Sequence, residues 1–106
     1  MNTDYLKKKK ILLVDDEPEL LTLVASVLRE NGYGNLCTAK SVKTAIEAAI
    51  DFKPELAILD VMLLDGDGFY LMERLRKVAE YPILFLTARG EDEDKFRAYG
   101  LGADDY

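Results

Sequence analysis

Short runs of apolar residues alternate along the chain with longer segments in which apolar residues recur at helical spacing. The unbroken runs Ile11–Val14 and Leu56–Leu59 are typical of strands covered on both faces, and an aspartate follows each of them directly. The run Ile83–Leu86 predicts a third such strand, and the segment Asn35–Ala39 is short and extended. The pattern therefore predicts four strands.

The segments between and after these runs predict four helices. The first extends from Glu17 to Glu30, with Pro18 suited to its first turn, and Ser41 is the expected N-cap of the second. The last extends roughly from Glu91 to Tyr99. The apolar positions expected to face the core are Leu20, Leu21, Leu23, Val24, Val27 and Leu28 in the first helix, Val42, Ala45, Ile46, Ala49 and Ile50 in the second, and Phe69, Leu71, Met72, Leu75 and Val78 in the third.

Strand and helix alternate four times, which with short connections implies right-handed crossovers and a parallel sheet sandwiched by helices. The expected fold class is therefore doubly wound α/β. In such sheets the functional site lies beyond the carboxyl ends of the strands. Asp15 and Asp16, Asp60 and Thr87 occupy three of these ends, so they should converge on one edge of the sheet.

The composition narrows the classes of function. The 106 residues, 49% of them hydrophobic, suffice for one modest core and one domain. The net charge of −6 disfavours direct contact with nucleic acid, and the lysines of residues 7–10 are expected to be a solvated approach to a strand. No apolar run is long enough for a membrane span and no signal-peptide core is present, which favours a cytoplasmic protein without membrane contact.

Histidine is absent and Cys37 is the only cysteine, which excludes disulfide frameworks, zinc sites and histidine bases. Any metal must therefore be held by oxygen. Carboxylates packed together raise one another's pKa unless a cation neutralises them, and a hard divalent ion such as Mg²⁺, or Mn²⁺, is the natural partner. With such an ion in place, Asp60 could attack a phosphoryl group, and Thr87 could donate its hydroxyl to a phosphoryl oxygen.

Each of these residues taken alone also has a purely structural interpretation. Asp16 or Glu17 could do no more than cap the helix that follows, and Thr87 fits ordinary strand propensity. The hypothesis of a metal site therefore depends on the clustering of the acids.

Four motifs in order resemble the receiver domains of two-component response regulators. They are Val14–Pro18, then Leu59–Leu63 with Asp67–Phe69, then Leu86–Arg89, and finally Gly102–Tyr106. The resemblance spans nearly the whole chain and implies a flavodoxin-like sheet with strand order 2-1-3-4-5. The sequence also resembles the subfamily of regulators that carry a winged-helix DNA-binding domain. This implies transcription regulation as the output.

The resemblance assigns a role to each candidate residue. Asp60 is similar to the phosphorylated aspartate, and Asp15 and Asp16 are similar to the acidic pair that holds Mg²⁺ with the backbone carbonyl of Met62. Thr87 resembles the hydroxyl switch residue. Tyr106 resembles the aromatic residue that turns inward when the threonine moves toward phosphate. The implied phosphoryl donor is a phosphohistidine on a sensor histidine kinase. The implied function is a signalling switch that takes up the phosphoryl group, not an enzyme that converts a metabolite.

Two departures from the family pattern carry expectations of their own. Leu64 stands where the family usually has proline, which should loosen the loop without touching the chemistry. The family's phosphate-binding lysine, most of the fifth strand and the fifth helix would lie past Tyr106, so residues 1–106 are expected to be a C-terminally incomplete receiver domain. The uncovered surface should favour self-association or instability, and any DNA contact would belong to a domain outside this segment.

Three rival functions remain. Aspartate-nucleophile phosphatases of the haloacid-dehalogenase type need a second acid two residues after the nucleophile, where this chain has Met62. A nucleotide or flavin module should carry a glycine-rich phosphate loop after the first strand, where this chain has Asp15 and Asp16. The third rival is a receiver-like binding module that never accepts phosphate.

Overall fold

The computed structural model describes residues 7–85, and four parallel strands form its main sheet. They are β1 (Ile11–Val14), β2 (Leu36–Ala39), β3 (Leu56–Leu59) and β6 (Ile83–Phe85). Their order across the sheet is β2-β1-β3-β6, and each neighbouring pair is parallel. The predicted fold class and the first four positions of the predicted order are confirmed. The fifth strand, the last helix, Thr87 and Tyr106 lie outside the described residues.

Three helices connect the strands, and a small hairpin precedes the third. The helices are α1 (Pro18–Glu30), α2 (Val42–Phe52) and α3 (Gly68–Arg76). Between β3 and α3, the two-residue strands β4 (Met62–Leu63) and β5 (Gly66–Asp67) pair antiparallel. The four strands predicted from the sequence do not include these two, because strands of two residues are too short to show a period.

The second helix begins where the sequence predicted. The Ser41 side chain accepts a hydrogen bond from the Thr44 backbone N–H at 3.1 Å, and the Thr44 hydroxyl accepts one from the Ser41 N–H at 3.2 Å. This reciprocal capping box satisfies two backbone donors at the start of α2. The helix ends at Phe52. Its C-cap, Lys53, has a left-handed φ of 54°, and Pro54 follows.

Alternate residues of the strands face opposite layers of helices. Leu12 and Val14 are buried in a core shared with α2 and α3, whereas Ile11 and Leu13 are buried against α1. The same alternation holds along β3, where Ala57 and Leu59 face the first core. The sheet is therefore covered on both faces, as the apolar runs predicted.

The helical stripes predicted from the sequence were too wide. In α1, Leu23 and Val27 are 59% and 49% exposed, and the residues buried against the sheet are Leu21 and Ala25. In α2, Ile50 is 56% exposed. Val78 is 58% exposed because α3 ends at Arg76, so helical spacing no longer governs its direction. A helix lying on a flat sheet contacts it along a narrow stripe, and the remaining apolar positions face solvent.

The last two lysines of the run before β1, Lys9 and Lys10, contact Glu55. The Lys9 ammonium lies 3.0 Å from a carboxylate oxygen of Glu55, and the other Glu55 oxygen accepts a hydrogen bond from the Lys10 N–H. These contacts hold the start of β1 against the start of β3. Within residues 7–85, no helix has both the length and the apolar character that crossing a bilayer requires.

A matched pair of leucine substitutions tests the placement of the core. Leu71 on α3 is fully buried and Leu23 on α1 is 59% exposed. Leu71→Ala should lower the free energy of unfolding by about 2–5 kcal/mol, because it leaves a cavity. Leu23→Ala should change it by less than about 0.5 kcal/mol. Urea denaturation of the purified protein measures both values, and similar losses for the two variants would contradict this placement of the core.

Candidate metal centre

The acidic residues follow the carboxyl ends of two adjacent strands. Val14 and Leu59 end β1 and β3 and pair in register. The Asp60 backbone N–H donates to the Val14 carbonyl at 2.9 Å, and the Asp15 N–H donates to the Ala39 carbonyl at 3.1 Å. The ladder therefore continues one residue beyond the strands and places Asp60 beside Asp15.

Three carboxylates converge at this edge of the sheet. One oxygen each from Asp15, Asp16 and Asp60 lie within 4.8 Å of one another. Mg²⁺ binds oxygen at about 2.1 Å in an octahedron, so ligand oxygens on opposite sides of the ion lie about 4.2 Å apart. No two of the three oxygens are farther apart than 4.8 Å, so they are near enough together for one ion to contact all three after small shifts, and the hard oxygen donors suit the ion. The donor set therefore fits Mg²⁺ or Mn²⁺.

Asp15 is the buried member of the cluster, with 6% of its surface exposed. Burial raises the pKa of its carboxyl, the N–H of Glu17 opposes this, and the nearby charge of Asp16 raises it further. The bond from the Glu17 N–H to Asp15 Oδ1 is 2.9 Å long. Among the described residues, Glu17 at the N-cap of α1 makes no capping bond with its side chain. The capping interpretation offered for Asp16 or Glu17 is therefore wrong for Glu17, and Asp15 binds the turn instead.

Asp60 is half-buried and lies in a field of like charge. Burial raises the pKa of its carboxyl first, and the charges of Asp15 and Asp16 raise it further. Hydrogen bonds from the backbone N–H groups of Val61 and Met62 act in the opposite direction. The carboxylate is therefore oriented by backbone donors while its neighbours repel it.

The cleft beside the acids has apolar walls. Asp15 and Asp60 share it with residues of α1, β1 and β3, namely Leu13, Val14, Leu20, Leu21, Val24, Ile58 and Leu59. Apolar walls lower the local dielectric constant and strengthen every charge interaction at the site. They are the physical source of the burial contribution to both raised pKa values.

Gly68 is a residue of the site whose role sequence reasoning missed. A Cβ at this position would lie 2.2 Å from the Asp60 carbonyl oxygen and 2.8 Å from the Phe85 ring. The Gly68 N–H also donates to the Val61 carbonyl at 2.7 Å. The start of α3 can approach Asp60 this closely because glycine has no side chain. The available signal was Gly68 itself, which stands within the Asp67–Phe69 motif directly before the first core position of the third predicted helix.

Of the other residues singled out from the sequence, Met62 and Leu64 lie within the described part of the chain and two lie outside it. Met62 begins β4, its side chain is 56% exposed and its N–H faces Asp60. The metal-binding role of its carbonyl stays a prediction. Leu64, at the tip of the hairpin, is 86% exposed. Thr87 and Tyr106 lie outside residues 7–85, so their roles also stay predictions.

Comparison with known proteins gives consistent matches. The model for the response regulator receiver domain matches residues 11–106. The regulatory protein VanRc of Enterococcus gallinarum is 44% identical over 92% of this chain and 42% of its own length. The transcriptional regulatory protein PhoP of Bacillus subtilis is 44% identical, over 92% of this chain and 41% of its own. This chain thus spans less than half the length of these relatives.

The fold also matches solved structures. The BeF₃-activated N-terminal receiver domain of RstA from Klebsiella pneumoniae superimposes with a TM-score of 0.86 and 34% identity. The match covers 92% of this chain and 82% of that domain. The likeness therefore extends from the sequence motifs to the three-dimensional arrangement of the strands.

Removing one charge from the cluster should stabilise the metal-free protein. Because the pKa of Asp60 is raised above its ordinary 3.8, the folded state binds the proton more tightly than the unfolded chain. The free energy of unfolding therefore falls as pH rises from the ordinary pKa through the raised one. Asp60→Asn should raise the free energy of unfolding at pH 7 by on the order of 1 kcal/mol.

Urea denaturation with a chelator present measures this gain, which should shrink as the pH falls toward about 4, where wild-type Asp60 also takes a proton. Glu47→Gln on the exposed surface of α2 is the matched control and should show little gain at either pH. Destabilisation by Asp60→Asn at pH 7 would be inconsistent with a repulsive cluster.

Proposed function

Because this chain belongs to the family of response regulator receiver domains, we propose that Asp60 is its phosphoryl acceptor and that Asp15 and Asp16 hold Mg²⁺ beside it. The family consists of signalling domains of two-component systems. The proposed activity is a phosphorylation-dependent switch, in which the product stays attached to the protein. It is not turnover of a metabolite.

The convergence of three carboxylates from two adjacent strand ends is the observation that carries this proposal. Their oxygens lie within 4.8 Å although Asp15 and Asp60 are far apart in sequence. Such a cluster costs stability while it is uncompensated, since burial and like charge both raise the pKa values. A bound cation removes that cost, and the approach of an anionic phosphoryl group then becomes favourable.

In the proposed reaction, a carboxylate oxygen of Asp60 attacks the phosphorus of a phosphohistidine. An O–P bond forms and the N–P bond breaks, and the bonding electron pair goes to the imidazole nitrogen of the donor. The N–H groups of Val61 and Met62 orient the attacking carboxylate. Mg²⁺, when bound, supplies positive charge that screens the carboxylates from the phosphoryl oxygens. The result at Asp60 is an acyl phosphate.

Other residues take the roles that the family resemblance gives them. We propose that the Met62 carbonyl completes the ion's protein ligands, that the Thr87 hydroxyl binds a phosphoryl oxygen, and that Tyr106 reports the change to the surface. The distance of Met62 from Asp60, two residues along the chain, supports the first of these. The proposals for Thr87 and Tyr106 rest on the sequence alone.

The proposed partners follow from the same reaction. A sensor histidine kinase supplies the phosphoryl group in the cytoplasm. The output is transcription regulation, through a DNA-binding domain outside this segment, and the similarity to PhoP, a transcriptional regulatory protein, supports this. The segment itself carries a net charge of −6 and is not proposed to contact DNA.

Phosphorylation by a small acyl-phosphate donor tests the acceptor. With Mg²⁺ present, the intact mass of the wild-type protein should increase by one phosphoryl group, and removal of Mg²⁺ by a chelator should prevent this. Asp60→Ala should show no adduct, whereas Asp51→Ala, which removes an exposed acid from α2, should behave as wild type. An adduct on Asp60→Ala would refute the assignment, and a wild type without adduct would favour a binding module that accepts no phosphate.

Mg²⁺ should also stabilise the folded protein. At a free concentration about 100 times the dissociation constant, binding to the folded state raises the free energy of unfolding by about 2.7 kcal/mol. Asp15→Asn and Asp16→Asn should each lose most of this gain, because each removes a ligand charge. Glu47→Gln should keep it. Thermal unfolding with and without Mg²⁺ measures the effect, and equal gains in all four proteins would place the ion elsewhere.

A further inference from the structure

The segment between Asp60 and α3, residues 61–68, is here named the acceptor loop. It contains the hairpin of β4 and β5, in which Met62 pairs with Asp67 and Leu63 pairs with Gly66. Val61 and Leu63 are buried on its inner side. At its base, the Gly68 N–H binds the Val61 carbonyl. The loop is therefore a closed unit with one tip, formed by Leu64 and Asp65.

The tip is bound to a different part of the fold through Asp65. Its Oδ1 accepts a hydrogen bond from the Val42 N–H at 2.7 Å, and its Oδ2 accepts one from the Lys43 N–H at 3.1 Å. Both donors lie in the first turn of α2, more than 20 residues earlier in the chain. These bonds, the Val42 bond first, hold the pKa of the Asp65 carboxyl below its ordinary value. The carboxylate therefore bridges the loop to a helix terminus.

This second cap is additional to the one that α2 already has. Ser41 and Thr44 form a local capping box, in which the Ser41 side chain binds the third N–H of the helix. Asp65 binds the first and second N–H groups, those of Val42 and Lys43. The helix therefore has a start signal in its own sequence, while the tip of the acceptor loop is anchored by the bonds of Asp65.

The first part of the acceptor loop, Val61 and Met62, also carries the backbone N–H groups that face Asp60. The N–H groups of Val61 and Met62 bind the Asp60 carboxylate, and Met62 lies three positions before Asp65 along the hairpin. A shift of the tip would move β4 and would change both the orientation of the carboxylate and the position of the Met62 carbonyl. Groups that orient ligand-bearing segments affect metal affinity although they never touch the ion.

We propose that Asp65 is a positioning residue for the metal and acceptor site, which it serves by tying the tip of the acceptor loop to the N-terminus of α2. The proposal rests on the proposed function of Asp60. It means that α2 helps to position the metal and acceptor site through Asp65. The convergence of Asp15, Asp16 and Asp60 at the strand ends does not by itself require any role for α2.

The two caps of the same helix terminus form a matched pair for the test. Asp65→Ala removes the cap that comes from the loop, and Ser41→Ala removes the local one. Both should lower the melting temperature. Asp65→Ala should in addition weaken Mg²⁺ binding about 10-fold and slow phosphorylation by the acyl-phosphate donor, whereas Ser41→Ala should leave both unchanged. Calorimetric titration with Mg²⁺ and intact-mass time courses measure these effects.

Asp65→Asn separates positioning from charge, because it removes the same charge as alanine but keeps one acceptor oxygen. A Mg²⁺ affinity between those of wild type and Asp65→Ala supports positioning. Equal losses for the asparagine and alanine variants, or equal losses for Asp65→Ala and Ser41→Ala, would overturn the proposal. If the alanine variant does not fold, Asp65→Asn is compared with Ser41→Ala instead: a weaker Mg²⁺ affinity in Asp65→Asn alone supports the link, and equal affinities in the two variants overturn it.

The same measurements separate the two proposals. A wild type that binds Mg²⁺ but accepts no phosphoryl group would contradict the role of Asp60, while the Mg²⁺ affinities of the Asp65 variants would still test the link to α2. Normal phosphorylation of wild type together with unchanged affinity and rate in Asp65→Ala would overturn the link alone.

Discussion

The hydrogen bond from the Asp60 N–H to the Val14 carbonyl continues the pairing of β1 with β3 past the last residue of each strand. Parallel strands in register bring their carboxyl ends to the same level, so the residues that follow them become neighbours whatever their separation in sequence. A slip of one residue would send Asp60 to the opposite face of the sheet. The chemistry at this edge therefore depends on the register of two four-residue strands.

That register is held by burial on both faces. Leu12 and Leu59 pack into the core shared with α2 and α3, and Leu13 packs against α1. The same burial removes water from around Asp15 and Asp60, so the forces that align the strands also raise the pKa values of the acids. Burial of the strands therefore both stabilises the fold and makes the binding of a cation to the acids more favourable.

Local sequence predicted the features that depend on local rules. The apolar runs ended at the acids, and Ser41 capped its helix, because burial of a strand and capping of a helix leave residue signatures. Leu23 and Val78 were misplaced, since periodicity cannot tell how wide a stripe a flat sheet covers or where a helix ends. The bonds of Asp65 and the close approach of Gly68 are contacts between distant segments, and no single stretch of sequence encodes them.

The missing side chain of Gly68 bears on how this loop can vary among proteins that share the fold. An alanine there would have to displace both the backbone of Asp60 and the ring of Phe85. The Phe85 ring in turn lies 4.9 Å from the Phe69 ring between centroids. Four residues earlier, Leu64 projects into solvent, and most side chains would fit. Two positions of one short loop therefore differ in how freely they can vary: many side chains fit at the exposed Leu64, whereas any side chain at Gly68 would have to displace its neighbours.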